Sequence, residues 1–571
     1  MELLKDKRVL FTIATYIVVI LAALTINVKA QAPTVLNIGQ ILALSILAFI
    51  CGLDYIWVTP TGIWRPTIVG TIAGIIVGRP ELGLVAGSLI EFTFLGLFTI
   101  GGGTVPEAAS GTIVAVILGA ITGTSVADAA TLVPIAWPVA ALTMNIEIMV
   151  RAGDAFFTHW ADAEIEKGNF DKIGMINILG AIPWALSRTI PVFIFGLLGG
   201  SPEAAASINA AITNPMVQPI WNAMTVAGCL MPALGVALMV RAFYRPVLLP
   251  FFLFGFALAA YFNINLIGIA MVLVAFVVGI YLVEWRIRFG ELKFEAAGEK
   301  KERVLTKGDL NKAFWLSWFI QSSWNYERMM GTGYAHGMLH IEKKLRKDPE
   351  ELKDWMRMHS EFYNTEPHLH NIILGMDIAL EEQGNDMETV RALKTALMGP
   401  FAGLGDSVMW FTLLPIAFAI GADLGSRGNF LGPVIAFLIW VPISWLVKYY
   451  STIFGYNYGE GVATVLKGDV LKFVREVIAA FALGMMGAIG ALYVNAKTGL
   501  EYKVYVPETG QWATVFNLQN ILDMVMPRLL SLIFIVYTYW LLKKGLSLSK
   551  TVIVLFITGI VLALVGVLVP P

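Results

Sequence analysis

The chain has 571 residues, of which 57% are hydrophobic and 14% charged, and its formal net charge is -1. Soluble globular domains are usually about 45–50% apolar and about 25% charged. The composition therefore predicts a protein mostly embedded in lipid, with no electrostatic reason to bind nucleic acid. The two cysteines, Cys51 and Cys229, lie in apolar runs without metal-binding or disulfide spacing, so we interpret them as small buried hydrophobes.

A helix needs about 20 mostly apolar residues to cross a bilayer. Apolar windows predict an all-α polytopic membrane protein with about 15 transmembrane or re-entrant helices. Ten of the predicted helices precede a charged break and begin near Val9, Ile38, Trp64, Leu84, Ile113, Leu132, Ile176, Trp221, Val247 and Leu266. Five follow it and begin near Ala396, Phe430, Val477, Met526 and Lys550.

The N-terminal segment carries Lys5, Lys7 and Arg8 ahead of an apolar run over residues 9–26. Basic residues stay on the cytoplasmic side, so the N-terminus is predicted to lie inside and the first helix to cross outward. Residues 28–30 resemble a signal-peptidase site, which leaves two interpretations of residues 1–37. We favour a retained signal anchor over a cleaved signal peptide, because the apolar run is longer than a signal peptide's.

Charged residues interrupt the apolar pattern at 159–172, 284–312 and 342–394. The middle region is rich in Lys and Arg and is therefore predicted to be cytoplasmic. It divides the chain into a first membrane domain (38–285), a charged linker (286–312) and a second membrane domain (313–571). Just before it, the charge-free run 246–283 is too long for one span, and Asn263 and Asn265 predict the turn of a helical hairpin.

Two glycine-rich stretches stand beside carboxylates, TIGGGTVP at 99–106 after Glu91 and MGPFAGLGD at 398–406. Glycine lets a backbone approach a ligand, proline stops a helix, and broken helices in transporters line substrate sites. The alternative is close helix packing, for which glycine is common in membranes. The occurrence of one stretch in each half favours the site interpretation.

Several motifs resemble the mannose/fructose/sorbose family of the phosphotransferase system (PTS). WRPTIVGTIAGIIVGRPELGLVAGSLIEFTFLG from Trp64 and PFFLFGFALAAYFNINL from Pro250 resemble enzyme IIC. QSSWNYERMMGTGY from Gln321, EFYNTEP from Glu361 and LMGPFAGLGD from Leu397 resemble enzyme IID, and ALEEQ and ILDMVMP keep the same order. The chain thus resembles a IIC subunit fused to a IID subunit, which are usually separate chains.

The resemblance implies a permease of the bacterial inner membrane, built from two pseudo-symmetric halves and assembled as a homotrimer. It would bind a hexose-type sugar and translocate it while separate IIA and IIB proteins deliver phosphate, with no cofactor of its own. The alternative is an ion-coupled secondary sugar transporter, because paired broken helices fit either mechanism. No nucleophile–base pair or phosphate-binding motif supports an enzyme that acts alone.

Ionisable residues in membrane segments are costly and indicate functional sites, and carboxylates and amides accept hydrogen bonds from sugar hydroxyls. The candidate sugar-binding residues are Asp54, Glu91, Asn145 and Glu147 in the first half and Gln321, Trp324, Asn325, Glu327 and Asp406 in the second. Asp54 and Glu91 look like family carboxylates. The alternatives are an ion pair with the adjacent Arg328 for Glu327 and a membrane-interface anchor for Trp324.

The histidines give no metal or phosphate-relay pattern. His336 and His340 are four residues apart, but no third ligand is evident. His368 and His370 flank a segment beside Pro367 that we predict to be on the surface, as solvated or interface residues. The charged segment 338–366 is the predicted docking surface for IIB.

Overall fold

The computed structural model describes residues 35–57, 61–97, 104–213, 216, 218–262, 264–289, 304–465, 469–506 and 511–569. The predicted N-terminal helix, most of the 99–106 stretch and the centre of the linker lie outside these residues. The described part is almost entirely helical, which confirms the all-α polytopic prediction. We call residues 35–289 the first half and residues 304–569 the second half.

The first half consists of helices joined by short turns. They are α1 (Ile38–Ile56), α2 (Pro66–Ile76), α3 (Pro80–Phe94), α4 (Ala108–Ile121), α5 (Val133–Gly153), α6 (Ala155–Glu166), α7 (Lys172–Leu179), α8 (Ala181–Gly199), α9 (Pro202–Thr213), α10 (Gln218–Leu230), α11 (Pro232–Phe243), α12 (Leu249–Phe262) and α13 (Leu266–Phe289). The helix breaks between α12 and α13 at the predicted turn, where the Asn265 side chain accepts a hydrogen bond from the Gly268 N–H (2.9 Å), while Asn263 lies outside the described residues.

The second half adds a small β-hairpin to its helices. These are α14 (Lys307–Leu316), α15 (Gly331–Leu345), α16 (Pro349–His359), α17 (His370–Glu382), α18 (Met387–Gly405), α19 (Leu414–Ser426), α20 (Leu431–Val465), α21 (Asp469–Tyr493), α22 (Leu518–Val525), α23 (Leu529–Lys543) and α24 (Leu548–Leu564). Strands β2 (Glu501–Val506) and β3 (Gln511–Asn517) form an antiparallel hairpin, and β1 (Lys497–Thr498) pairs with β4 (Leu568–Val569).

Eight helical stretches among the described residues are long and apolar enough to cross a membrane, or nine if the bent pair α22–α23 is one span. Four more apolar helices are shorter, among them α2, α4 and α12. The spans predicted near Trp64 and Leu84 are instead a tight pair, α2 and α3. With 11 residues and a rise of about 1.5 Å per residue, α2 reaches only about 16 Å, so it cannot cross alone.

The turn between α2 and α3 shows why the apolar window misleads. Pro66 and Pro80 each stand at a helix start, where a missing N–H costs nothing. Gly78 has φ +80°, a left-handed conformation that glycine adopts without strain. Proline and glycine therefore divide this apolar sequence into two helices of 11 and 15 residues.

The predicted break at 398–406 is also different in the structure. Residues 398–405 stay helical within α18, with Pro400 inside the helix, and the chain then forms a wider π-helix over Asp406–Leu413. A π-helix accommodates the altered hydrogen-bond pattern without unwinding, and such segments are frequent at functional sites.

The two halves pack through helices that cross from one to the other. Helix α12 packs on α21, α3 on α19 and α10 on α24. A Cβ at Gly255 of α12 would collide with the carbonyl oxygen of Gly484 of α21, so glycine permits direct backbone contact there. The first and second halves therefore form a single packed unit with clefts between them.

Candidate functional site

Two clefts among the described residues share part of their lining. The first cleft is lined by residues of both halves and encloses about 610 Å³ of empty space counted to its open mouth. Its polar and aromatic lining comes from Tyr55, Arg151, Gln321, Trp324, Asn364, Thr365, Asp406 and Trp410. The second cleft lies mainly within the first half and encloses about 410 Å³. Its charged lining comes from Arg65, Glu107, Glu147, Arg151 and Arg188.

Three polar side chains of the first cleft face it without an internal partner. Among the residues that the structure describes, the side chains of Gln321, Asn364 and Asp406 make no hydrogen bond or ion pair. Gln321 follows the 3₁₀ turn Ser317–Phe319, and Asp406 is the first residue of the π-helix. A polar ligand with several hydroxyl groups would supply the missing partners.

The wall behind Asn364 and Asp406 is a buried hydrogen-bonded chain. The Glu366 carboxylate accepts hydrogen bonds from the N–H groups of His368 (2.9 Å) and Leu369 (2.8 Å), and one of its oxygens lies 2.5 Å from His368 Nδ1. His368 Nε2 lies 2.9 Å from the Ser444 hydroxyl of α20. This chain fixes the loop that carries Asn364 into the cleft.

The prediction that His368 and His370 lie on the surface is wrong, since both are buried. Glu366 and Ser444 satisfy both ring nitrogens of His368, which makes its burial possible. His370 is surrounded by protein and its pKa is lowered well below the usual value, first by burial and then by the charge of Lys448.

The second cleft holds an internally neutralised ion network. Arg188 places its Nη2 2.8 Å from Glu147 and its Nε 3.3 Å from Glu107, and all three side chains are buried. The Glu107 carboxylate also accepts the N–H groups of Ala109 (3.0 Å) and Ser110 (2.7 Å) at the start of α4. Glu107 and Glu147 are therefore both paired with a cation of the protein.

Arg151 and its aromatic neighbours form the wall that the two clefts share. The Arg151 guanidinium lies between the rings of Trp184 (4.5 Å) and Trp324 (4.4 Å), one from each half. Cation–π contacts of this kind stabilise a buried cation through the electron-rich faces of the aromatic rings. Arg151 and Tyr55 line both clefts, so any passage between them must move this stack.

The structure brings four of the nine predicted site residues to the clefts. Gln321, Trp324 and Asp406 line the first cleft, and Glu147 lines the second. Asn145 does not line either cleft: it is exposed, and its amide donates to the Ala141 carbonyl one turn earlier (2.9 Å).

The remaining four predicted residues contact other protein groups. Asp54 holds the turn after α1, accepting from the Thr61 hydroxyl (2.5 Å) and the Ile63 N–H (3.1 Å). Glu91 is buried in an ion pair with Arg65.

Asn325 organises the loop before α15, because its carbonyl oxygen accepts the N–H groups of Glu327 and Arg328 (3.0 Å each) and its amide donates to Thr158 (2.7 Å). Glu327 is 44% exposed and lies 3.0 Å from His159.

Asn364, Arg151, Arg188 and Glu107 were not among the predicted site residues. The rule that selects ionisable residues in membrane helices applies equally to Arg151 and Arg188, which interrupt the apolar helices α5 and α8. Asn364 lies in the EFYNTEP motif, which offered a second signal.

One cluster among the described residues has the side chains of a metal site. Glu342, His359 and Glu381 are buried, with their ligand atoms within 4.8 Å of one another. Arg346 lies 3.3 Å from Glu342 and 3.1 Å from Glu381, and so supplies the positive charge where an ion would sit. Burial first, and then the charge of Glu342, raises the pKa of Glu381. We interpret this cluster as a buried ion-pair network that holds α15, α16 and α17 together.

A polytopic membrane protein with a polar cleft lined by both of its halves has the architecture of a membrane permease. Family models match both halves: residues 38–279 match the PTS system sorbose-specific IIC component, and residues 304–568 match the PTS system mannose/fructose/sorbose family IID component.

Curated relatives match each half over most of their own length. The mannose-specific EIID component of Escherichia coli (strain K12) is 32% identical over 265 residues, 45% of this chain and 93% of the relative. The fructose permease IID component of Bacillus subtilis (strain 168) is 32% identical, over 46% of this chain and 96% of the relative. The mannose-specific EIIC component of Escherichia coli (strain K12) is 30% identical, over 41% and 84%.

Two solved structures are also similar. A chain described as a membrane protein is 31% identical, covering 47% of this chain and 99% of its own, with a TM-score of 0.44. A chain of the mannose transporter ManYZ in complex with microcin E492 is 32% identical, covering 47% and 99%, with a TM-score of 0.27.

The chain belongs to the mannose/fructose/sorbose family of the phosphotransferase system and joins a IIC and a IID component in one polypeptide. It is a multi-pass membrane permease component of a bacterial sugar PTS, which works with IIA and IIB proteins on a sugar substrate. The family membership favours this function over the ion-coupled secondary transporter.

Proposed function

We propose that the first cleft is the sugar site of this permease. The observation that carries the proposal is that Gln321, Asn364 and Asp406, which lack partners among the described residues, converge on one cleft. All three side chains are half-buried, and polar groups that converge on a cleft without protein partners can bond the hydroxyl groups of a ligand. Two amides and a carboxylate match the mixed donors and acceptors of a hexose.

Aromatic rings complete this site. Trp324 and Trp410 line the first cleft beside the three polar side chains. An aromatic face offers apolar contact to the C–H face of a sugar ring while the polar groups bond its hydroxyls. Trp324 also stacks on Arg151, so contact with a sugar on one face would change the wall shared with the second cleft.

Asp54, Glu91, Asn325 and Glu327 have supporting roles in this proposal. Each has protein partners that fix a turn or a helix contact. Glu91 holds Arg65, which lines the second cleft and whose guanidinium lies over the Trp64 and Phe418 rings (5.1 and 5.4 Å).

We propose that the domains are those that the charge pattern predicts, namely an anchor at 1–37, a IIC part at 38–285, a linker at 286–312 and a IID part at 313–571. Helix α13 extends to Phe289 and α14 begins at Lys307, so both ends of the linker continue into helices. In this proposal the N-terminus and the linker lie in the cytoplasm. Three copies of the chain, each with two pseudo-symmetric halves, form a homotrimer. Labelling of cysteines placed at residues 5 and 295 in intact cells, and the mass of the detergent-solubilised protein, test the topology and the trimer.

The IIB partner docks on the charged surface 338–366 in this proposal. Lys353 lies 3.6 Å from Glu166 and Lys343 pairs with Asp171, both of the first half, so these lysines join the halves. Lys344 is 41% exposed and points to Asp309 instead. Cross-links from Lys344 to IIB support the docking surface, whereas cross-links confined to residues 382–394 contradict it.

The direct test uses the purified chain in sealed vesicles with IIA, IIB and the general phosphocarrier. We expect a panel of hexoses to include a sugar that enters and appears as its phosphate. Accumulation of the unmodified sugar, driven by an ion gradient without phosphocarrier proteins, would contradict the function. For the site, replacing Asn364 by alanine should weaken binding of the transported sugar, as detailed in the Discussion.

A further inference from the structure

Transfer of a phosphoryl group to a sugar hydroxyl requires a proton acceptor. The sugar oxygen forms a bond to phosphorus, the bond between phosphorus and the carrier atom of IIB breaks, and its electron pair leaves with the carrier. The hydroxyl proton must pass to a base at the same time, and a positioned base contributes about 10²–10⁴-fold to the rate. A site that phosphorylates its sugar in place therefore needs a basic group within the cleft.

We propose that Asp406 is this general base, an assignment that rests on the first cleft being the sugar site. Among the described residues that line the first cleft, Asp406 is the one that carries a carboxylate. It is half-buried, and none of the described residues donates a hydrogen bond to it. Gln321 and Asn364 are amides, which bind hydroxyl groups but do not accept a proton at neutral pH.

The carboxylates of the second cleft do not meet the same requirement. Glu147 and Glu107 bind the Arg188 guanidinium at 2.8 and 3.3 Å. Glu107 further accepts two N–H groups of α4. Both carboxylates are ion-paired with Arg188, so they neutralise its charge and leave proton abstraction to Asp406.

Glu366 lies directly behind Asp406 and positions it. A Cβ at Gly405 would lie 2.5 Å from the Glu366 Cβ and 2.8 Å from its Oε2, so the Glu366 side chain packs against the backbone that precedes Asp406. The Glu366 oxygens are already engaged with the His368 and Leu369 N–H groups and with the His368 ring. Glu366 is therefore a positioning residue.

His368 and Ser444 continue this support into a spanning helix. The 2.9 Å contact between His368 Nε2 and the Ser444 hydroxyl ties the loop to α20. The His368 ring also packs edge-on against Trp410, which lines the cleft (5.5 Å between centroids). The chain Glu366–His368–Ser444 thus holds Asp406 and Trp410 in a fixed relation to the sugar. After transfer, the proton on Asp406 returns to water at the mouth of the cleft.

The test compares the full chain with the D406N variant, using phosphorylated IIB as the donor. We expect kcat for sugar phosphorylation to fall by about 10²–10⁴-fold while the sugar Kd stays within about threefold of wild type. D406E should recover part of the rate. D386N is the matched control on the same helix, where an asparagine still caps α18, and it should leave both quantities unchanged.

Three outcomes overturn the assignment. D406N could keep kcat within about threefold of wild type, or its sugar Kd could rise as far as its rate falls, which would limit Asp406 to binding the sugar without accepting its proton. Wild-type kcat could also be independent of pH between about 4.5 and 8 in single-turnover assays, which needs no variant to fold. A wild-type chain that binds sugar but never phosphorylates it contradicts the proposed function itself, and with it the need for a base.

The positioning residues give a smaller and different signature. S444A removes the hydroxyl partner of His368 and should lower kcat about threefold to tenfold at unchanged sugar Kd, with the acid limb of the pH profile kept. S426A, which removes a hydroxyl that bonds only the Asp423 carbonyl (2.9 Å), is the control. Loss of the acid limb in S444A would instead assign the base to the Glu366–His368–Ser444 chain.

Discussion

The two clefts share Arg151 and Tyr55 in their walls but differ in how their polar groups are satisfied. In the first cleft, Gln321, Asn364 and Asp406 have no partner among the described residues. In the second, Glu107, Glu147 and Arg188 neutralise one another. Opposite charges that are paired inside the protein stabilise a single arrangement, whereas half-buried polar groups without a protein partner are available to a ligand. A charged side chain in a membrane cleft therefore indicates a binding site only where no protein group is paired with it.

Removing the central cation of the second cleft should have the largest effect. Arg188→Ala leaves two buried carboxylates without their partner, and breaking a buried ion pair in this way costs about 3–5 kcal/mol. We expect a large loss of folded protein and a lower melting temperature in detergent. Arg245→Ala is the control, since its pair with Glu476 (2.7 Å) is partly exposed and worth at most about 1 kcal/mol. Equal effects of the two changes would contradict the structural role of the network.

Acid should weaken the joint between the halves through His336. Its ring Nδ1 lies 3.2 Å from the Asn177 amide of the first half, and burial lowers the pKa of His336 to about 4. An unfolded histidine has a pKa near 6.5. The contribution of neutral His336 to the free energy of unfolding is therefore fully present above that pH and is lost as the pH drops toward 4.

At pH 5 the protonation of His336 should lower the free energy of unfolding by about 2 kcal/mol relative to neutral pH. The measurement compares the stability of wild type and His336→Gln at pH 7.5 and pH 5. The variant should lose less stability on acidification than the wild type. An identical loss in both proteins would exclude His336 as the source.

An intermediate effect is expected in the first cleft. Asn364→Ala removes one side chain that awaits a ligand, so the sugar Kd should rise about tenfold, equivalent to about 1.4 kcal/mol, with little change in stability. Asn145→Ala is the matched control, because the Asn145 amide bonds only its own helix. Equilibrium binding of radiolabelled sugar measures both. If Asn364→Ala lowered the free energy of unfolding by more than it weakened the free energy of sugar binding, the proposed difference between the clefts would be contradicted.

The smallest effect should come from exposed ion pairs between the halves. Arg357 forms a two-pronged contact with Glu166 (2.5 Å for each pair of atoms), but both side chains are about half exposed. Water and salt screen such pairs. Arg357→Ala should keep the melting temperature within about 1–2 °C of wild type, and 1 M salt should remove the difference. A shift as large as that of Arg188→Ala would show that the halves are joined mainly by surface charge.

The sequence predicts the fold class because apolar length and period depend only on local residues. Gln321, Trp324 and Asp406 were also predicted, from motifs and from the rarity of charge in membrane segments. Local rules do not identify partners that lie further along the chain. Glu91 is bound to Arg65, 26 positions away, and Asp54 accepts a hydrogen bond from Thr61. The burial of His368 is missed for the same reason, since Ser444 lies 76 positions further along the chain.

Protection of single cysteines by sugar tests directly whether the first cleft, and not the second, binds the sugar. In a chain whose Cys51 and Cys229 are replaced by alanine, one cysteine is placed in the first cleft (Asn364→Cys) or in the second (Ala108→Cys). We expect the transported sugar to slow alkylation of the Asn364→Cys protein and to leave alkylation of the Ala108→Cys protein unchanged. Protection of the Ala108→Cys protein alone would contradict this expectation.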